Sequence, residues 1–284
     1  MIEIRERETG SILHTLDGET LKKADLRELD LTGADLRDAD LRSAILINTI
    51  LDNADLTKAN LQYANLLGTQ LVNATLDGAN LSKAVFGGQP RARAANLSNA
   101  SLLGATLIGA NLEDVVLSHA TLKGSDLSNA ILLNANLRGA NLEGATICDA
   151  RLNKADMRGC NLSNADLCGA RMNYANLNSV DLSGAQLSGE ETQQPAILTR
   201  TNLQNTKMVG TYLAKAVLQT ADLSRSDLRN ANLSFAMMSG AILRHANVEG
   251  ADFTGVNLGT VTMDYANFSK SKNAEIPSFK RNLR

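Results

Sequence analysis

Three histidines and three cysteines are the side chains here best suited to hold a metal or act as nucleophiles, and their spacing suits neither task. His14, His119 and His245 lie far apart, and Cys148, Cys160 and Cys168 form no Cys-x-x-Cys pair. There is no His-Glu-x-x-His, Gly-x-Ser-x-Gly or phosphate-loop pattern. Aspartates are plentiful, but Asp25, Asp35 and Asp40 recur at multiples of five residues, one per repeat, on different sides of whatever frame carries them. General acid–base catalysis needs two carboxyls converging on one substrate, which such spacing does not provide. The expectation is no catalytic residue, no cofactor, no metal and no enzymatic activity.

The frame that fixes those aspartates is a repeat of period five. A large apolar residue recurs from Leu21 through Leu26, Leu31, Leu36, Leu41 and Leu46 to Phe86. The same phase resumes from Leu97 to Leu187, and again from Leu198 to Phe268. These blocks hold 48 central positions. Two residues earlier stands a small residue, usually alanine (Ala24, Ala34, Ala39, Ala44), and between them often Asp or Asn (Asp25, Asp35, Asn60, Asn80). The consensus is A(D/N)LXX.

Neither an α-helix nor a straight strand can use this pattern. Five residues advance a helix by about 140° beyond a full turn, scattering the leucines around the cylinder. An odd step along a strand sends alternate leucines to opposite faces. Within one repeat, however, Ala–Asp–Leu reads in–out–in, a short strand. A right-angled bend over the next two residues aims every central residue at a common axis. Four bends close a square, so one coil takes 20 residues, and the chain should form about twelve coils stacked ~4.8 Å apart, a solenoid roughly 55–60 Å long. Such a core explains a composition of 44% hydrophobic residues with only 3% aromatic and no Trp.

This register resembles the pentapeptide-repeat family over residues 17–268. The resemblance implies an all-β, right-handed quadrilateral parallel β-helix. It also implies frequent homodimerisation through an end. The best understood members bind DNA gyrase and protect it from quinolones, with a rod whose shape and charge resemble duplex DNA. Those resistance proteins favour Phe at central positions, whereas here Phe appears centrally only as Phe86, Phe253 and Phe268. The leading functional expectation is therefore a non-enzymatic scaffold or regulator that binds another protein, with gyrase protection as the alternative.

The repeat defines three segments. Residues 1–16 read as an N-terminal β-hairpin covering the first coil, since solenoid ends need caps. Residues 17–268 form the β-helix, and 269–284 a C-terminal tail in which Ile276, Phe279 and Leu283 are spaced like one face of a short helix after Pro277. Two insertions, about 87–95 and 188–197, break the phase by six residues each and carry Pro90 and Pro195, which cannot donate to a ladder. The first is basic, with Gln89, Pro90, Arg91 and Arg93; the second is acidic, with Glu190, Glu191, Gln193 and Gln194. These loops either carry partner recognition or are tolerated insertions.

A 20-residue coil also stacks outward positions. Ile47 and Leu67 form a surface apolar pair one coil apart, either open to a partner or covered by the first loop. Cys148 and Cys168 should be outer neighbours at a separation that permits a disulfide, His245 should stack on Tyr265, and Cys160 should face the core. A net charge of −2 disfavours nonspecific nucleic-acid binding, although residues 17–40 hold eight acidic against four basic side chains. No apolar run approaches the ~20 residues of a membrane span, the N-terminus lacks a signal-peptide core, and the few cysteines suit a reducing compartment. A cytoplasmic location is expected.

Overall fold

The computed structural model describes residues 1–89, 93–189 and 193–278. The chain divides into two compact units, Met1–Asn141 and Leu142–Arg284.

In the first unit the chain opens with β1 (Ile2–Arg5) and β2 (Ile12–Leu16), an antiparallel hairpin. Alternation of Ile2 and Ile4 with charged residues makes one face apolar, and Ile4 is buried to 2% exposure. The hairpin then fills the place that a preceding coil would have occupied. The Arg7 amide donates to the Gly33 carbonyl at 2.9 Å, and the Asp35 amide to the Arg5 carbonyl at 2.8 Å. The expected cap is present.

From Leu21 onward the chain coils as the period requires. Each outward residue bridges in parallel to the one a coil later, as in Asp25–Ile45, Ile45–Asn65 and Asn65–Val85. Three backbone bonds tie each side to the next coil. The Leu26 amide donates to the Ile45 carbonyl at 2.9 Å, the Ile45 amide to the Ala24 carbonyl at 2.9 Å, and the Glu28 amide to the Ile47 carbonyl at 3.0 Å. Leu26, Leu31 and Leu36 are 0%, 0% and 3% exposed, so the central leucines meet on the axis. The alanines beside them, such as Ala44 and Ala54, are fully buried. Each large apolar side chain removed from water contributes ~1.5–3 kcal/mol.

The corner explains the two X positions. In an ordinary repeat the small residue's amide donates back to the central carbonyl three residues earlier, as Ala44 does to Leu41 at 3.0 Å. The second X residue has φ near +60°, as at Lys23, Asn48 and Tyr63. A bond from i+3 to i with positive φ only at i+2 is a type II turn. Apart from Gly189 and Thr260, every repeat has this corner. Glycine serves some corners, but most use residues with side chains, a conformation costing roughly 1 kcal/mol or more for an L-residue. The offsetting interaction is the ladder bond made by the same residue's amide, as at Glu28.

The Asp or Asn of the consensus has its own task. Its Oδ1 accepts the amide of the residue after the central one: Thr32 to Asp30 at 3.0 Å, Ser82 to Asn80 at 3.1 Å, Ser128 to Asp126 at 2.9 Å. That amide lies in the bend and has no ladder partner, so the short polar side chain caps it. Where the position holds Ser101 instead, Asp77 of the preceding coil accepts the Leu103 amide at 2.9 Å.

The second unit repeats this construction from Leu142 to Phe268. Ile147 donates to the Asp166 carbonyl at 2.6 Å and Asp149 to the Cys168 carbonyl at 2.9 Å. Its last ladder pair is Asp252 with Lys272. The tail then runs past Ile276 and Pro277, which with Val256 and Leu258 border a cavity of about 1080 Å³. Phe279 and Leu283, on which the expected short helix depends, lie outside the described residues.

Candidate interaction surface

Each inserted loop leaves its coil at a corner and returns to the same corner. The Ala95 amide donates to the Phe86 carbonyl at 2.8 Å, and the Ala196 amide to the Leu187 carbonyl at 2.9 Å. These replace the ordinary three-residue corner bond across six additional residues, so the frame resumes in phase. Glycines pin the roots. A side chain on Gly87 would meet the Glu113 carbonyl oxygen at 1.8 Å, and one on Gly189 the Gln193 carbonyl oxygen at 2.2 Å. Gln89, Arg93, Gln193 and Gln194 are exposed; Pro90, Arg91, Glu190 and Glu191 lie outside the described residues.

The apolar pair beneath the first loop is not an open patch. Ile47 is half-buried, Leu67 is 9% exposed, and Gly68 beside it is buried with the Arg93 carbonyl 3.6 Å from where its Cβ would lie. The loop's returning segment at Arg93 therefore lies beside Gly68. Leu67 is outward by register, yet it is only 9% exposed.

Cys160 is buried, as its inward register requires. Cys168 is also buried, at 2% exposure, although its register is outward. Its Sγ donates to the Ser188 carbonyl at 2.8 Å, laying the thiol along the ladder. Cys148 is half-buried, and all three cysteines are thiols. His245 and Tyr265 stack with ring centroids 5.0 Å apart and planes 6° from parallel. Among the described residues no three His, Cys, Asp or Glu side chains are grouped to hold a metal.

Some of the surface charge is settled locally. Where Asp–Leu–Arg or Asp–Met–Arg occurs, the arginine curls back onto the aspartate two residues earlier. Arg37 Nε donates to Asp35 Oδ1 at 2.8 Å, and Arg42 and Arg158 do the same to Asp40 and Asp156 at 2.7 and 2.8 Å. The Arg42 guanidinium pulls the Asp40 pKa down to about 2, and Arg37 likewise lowers that of Asp35. Asp55 stacks on Asp35, with Arg7 and Arg37 at 3.8 and 3.9 Å from it. Exposed aromatic and apolar groups are scattered over both units: Tyr63 in the first, and Tyr174, Tyr212, Phe235 and Met237 in the second.

The pentapeptide-repeat signature matches eight times, over residues 20–57, 49–88, 95–132, 132–164, 150–189, 196–234, 221–259 and 241–272. The chain belongs to the pentapeptide-repeat family. Its fold is the family's right-handed quadrilateral β-helix. The matches stop at 88 and 189 and restart at 95 and 196, framing both loops. Among solved structures, this pentapeptide-repeat protein is similar to HetL from the cyanobacterium Nostoc, involved in heterocyst differentiation regulation, with 29% identity over 88% of this chain and 87% of that one and a TM-score of 0.39. It is also similar to QnrB1, a plasmid-mediated fluoroquinolone resistance protein, with 15% identity over 88% and 90% of the two chains and a TM-score of 0.29. A pentapeptide-repeat protein of the Arabidopsis thaliana thylakoid lumen shares 28% identity over 45% of this chain and 67% of its own, with a TM-score of 0.17. No curated protein sequence matches. No helix among the described residues is long and apolar enough to cross a membrane.

Proposed function

We propose that this pentapeptide-repeat protein is a non-enzymatic scaffold or regulator that binds another protein in the cytoplasm through its coil surface and its two inserted loops. The observation that carries this reading is the pair of six-residue insertions closed by Ala95–Phe86 and Ala196–Leu187, which add chain at a corner without disturbing the ladder. A stiff backbone with variable segments at fixed corners suits recognition, because the frame bears the cost of ordering. Convex coils with locally neutralised carboxylates offer no converging acid–base pair.

Affinity capture from the native host, comparing the full chain with versions lacking residues 89–94 and 190–195, tests the reading. Loss of specific partners on loop deletion supports it; an unchanged partner set removes the loops from recognition. Gyrase protection ranks behind, because a DNA mimic needs a strongly acidic surface, whereas the net charge is −2 and Asp25, Asp35, Asp40, Asp156 and Asp227 are each clamped by an arginine. Rescue of DNA supercoiling from a quinolone at micromolar protein would reverse that order.

A further inference from the structure

We propose that the side of the second unit carrying Leu152, Met172 and Leu198 is a docking surface for an acidic polypeptide segment, held by Arg151 and Arg171. This rests on the protein-binding reading above and names the class of partner.

Where Asp or Asn precedes the central residue in the second unit, it caps the amide after it, as Asp181 does for Ser183 at 2.9 Å and Asn176 for Asn178 at 3.2 Å. Before Leu152 and Met172 stand Arg151 and Arg171, two consecutive coils of one ladder. Their Cα atoms are therefore ~4.8 Å apart, and both residues are exposed. Like charges directly opposite one another destabilise a sheet. Neither guanidinium has an ion pair or a hydrogen bond among the described residues, and the amides of Asn153 and Asn173 have no acceptor. Asn153 and Asn173 also bury their Oδ1 atoms without a donor. Of the three buried side-chain oxygens without a partner among the described residues, two lie on this side, and buried polar groups ordinarily find partners.

The chain itself shows which group is missing. At Asp227–Leu228–Arg229 one carboxylate accepts the Arg229 amide at 3.2 Å, Nε at 2.8 Å and Nη2 at 2.7 Å. Asp25 with Arg27 and Asp156 with Arg158 repeat the arrangement. A carboxylate from outside, laid beside Arg151, would accept the Asn153 amide and the guanidinium in the same way, and a second beside Arg171 would take the Asn173 amide. Arginine's planar fork favours such pairing.

The flanking corner column extends the field. Lys154, Tyr174 and Arg200 follow one another up the corner with φ of 62°, 61° and 57°. The Arg200 guanidinium lies 5.6 Å from the Tyr174 ring centroid and donates to its hydroxyl at 2.8 Å. On residues 151–154, 171–174 and 197–200 there are four cations and no carboxylate. The bordering acids are engaged elsewhere or turned aside: Asp156 takes Arg158, and Asp149 Oδ1 lies against Gly169. Two coils of height suit a short acidic segment better than a long nucleic-acid polyanion.

The test is fluorescence anisotropy of a labelled deca-glutamate peptide with the full chain at low salt. The double variant Arg151→Asn, Arg171→Asn restores the consensus cap, so its thermal midpoint should equal or exceed that of the parent while peptide affinity falls about tenfold or more. Affinity in the parent should drop steeply with added salt. Equal binding by the folded variant would overturn the proposal, as would tighter binding of deca-thymidylate or of a phosphoserine peptide. A chain lacking residues 89–94 and 190–195 should bind the peptide as the parent does. Peptide binding lost only on loop deletion would reject this surface while leaving the scaffold reading intact.

Discussion

The Ala95 amide reaches back nine residues to the Phe86 carbonyl at 2.8 Å, the bond that elsewhere spans three. Six of the eight residues between the two are therefore surplus to the coil. Removing residues 89–94 leaves Phe86-Gly87-Gly88-Ala95, a regular corner with Gly88 already at φ 77°. Removing 190–195 leaves Leu187-Ser188-Gly189-Ala196, equally in phase. Each deletion should fold and shift the thermal midpoint by only a few degrees, because shortening a surface loop changes closure entropy weakly. Differential scanning calorimetry checks this. Loss of cooperative unfolding in either variant would mean that the loop supports its coil.

Thr220 is the one β-branched residue among the described corners in the left-handed region, with φ 54°. Such residues are the least suited to it. Thr220→Gly should raise stability by about 1 kcal/mol, since the hydroxyl's bond is only to the adjacent Gln219 carbonyl. Thr220→Val, which keeps the branching and removes the hydroxyl, should give no gain. Chemical denaturation of the two variants beside the parent separates backbone strain from loss of the hydrogen bond.

Acid should unfold the chain over a defined window. Asp40 titrates at about 2, chiefly through its bond to Arg42. Asp25, Asp30, Asp35 and Asp252 are also lowered, through Arg27, Thr32, Arg37 and Thr254 respectively. A carboxyl with a depressed folded pKa contributes stability that is complete above the unfolded value of about 4 and lost as pH falls through the folded value. The thermal midpoint should be flat from pH 7 to 5 and fall between about pH 4 and 2. Arg42→Gln should reduce the size of that fall. A fall centred near pH 6 would contradict this assignment to the carboxylates.

The coil was legible because its signal is strict. Leu26, Leu31 and Leu36 must share an axis, and the two breaks at Phe86 and Leu187 are equal in size, so both frame and insertions follow from counting. The burial of Leu67 was not legible, because register fixes which way a side chain leaves the coil but not what chain later covers it. The role of Asp30 or Asn80 was also missed as a cap, since the amide it satisfies becomes orphaned only once the corner is a type II turn. Arg151 and Arg171 could have been found: they are 20 residues apart and both break the A(D/N)L rule. Reading departures from a consensus, stacked by coil, is the signal that locates them.

Ile4 plugs the first coil, and its burial to 2% inside a two-stranded hairpin makes it the weak point of the cap. Ile4→Asp should place a charge against the open end of the apolar axis and destabilise the chain by several kcal/mol, or cause self-association through the exposed edge. Ile12→Asp, at a residue 50% exposed on the same hairpin, should be nearly neutral. Light scattering and thermal unfolding of the two variants distinguish a plugging residue from a hairpin that merely decorates the end.

The cysteines offer a check on the outward register itself. Reactivity follows thiolate formation and access. Cys160 is core and Cys168 is covered with its Sγ bonded to the Ser188 carbonyl, whereas Cys148 on the preceding coil is half-buried. Native alkylation with iodoacetamide, followed by peptide mass spectrometry, should modify Cys148 first and leave Cys160 and Cys168 protected until unfolding. Equal labelling of Cys148 and Cys168 would show that the Ser188 contact does not hold the thiol against the ladder. Fast labelling of Cys160 would be more serious, because a residue at the small inward position can be reached only if the coils separate.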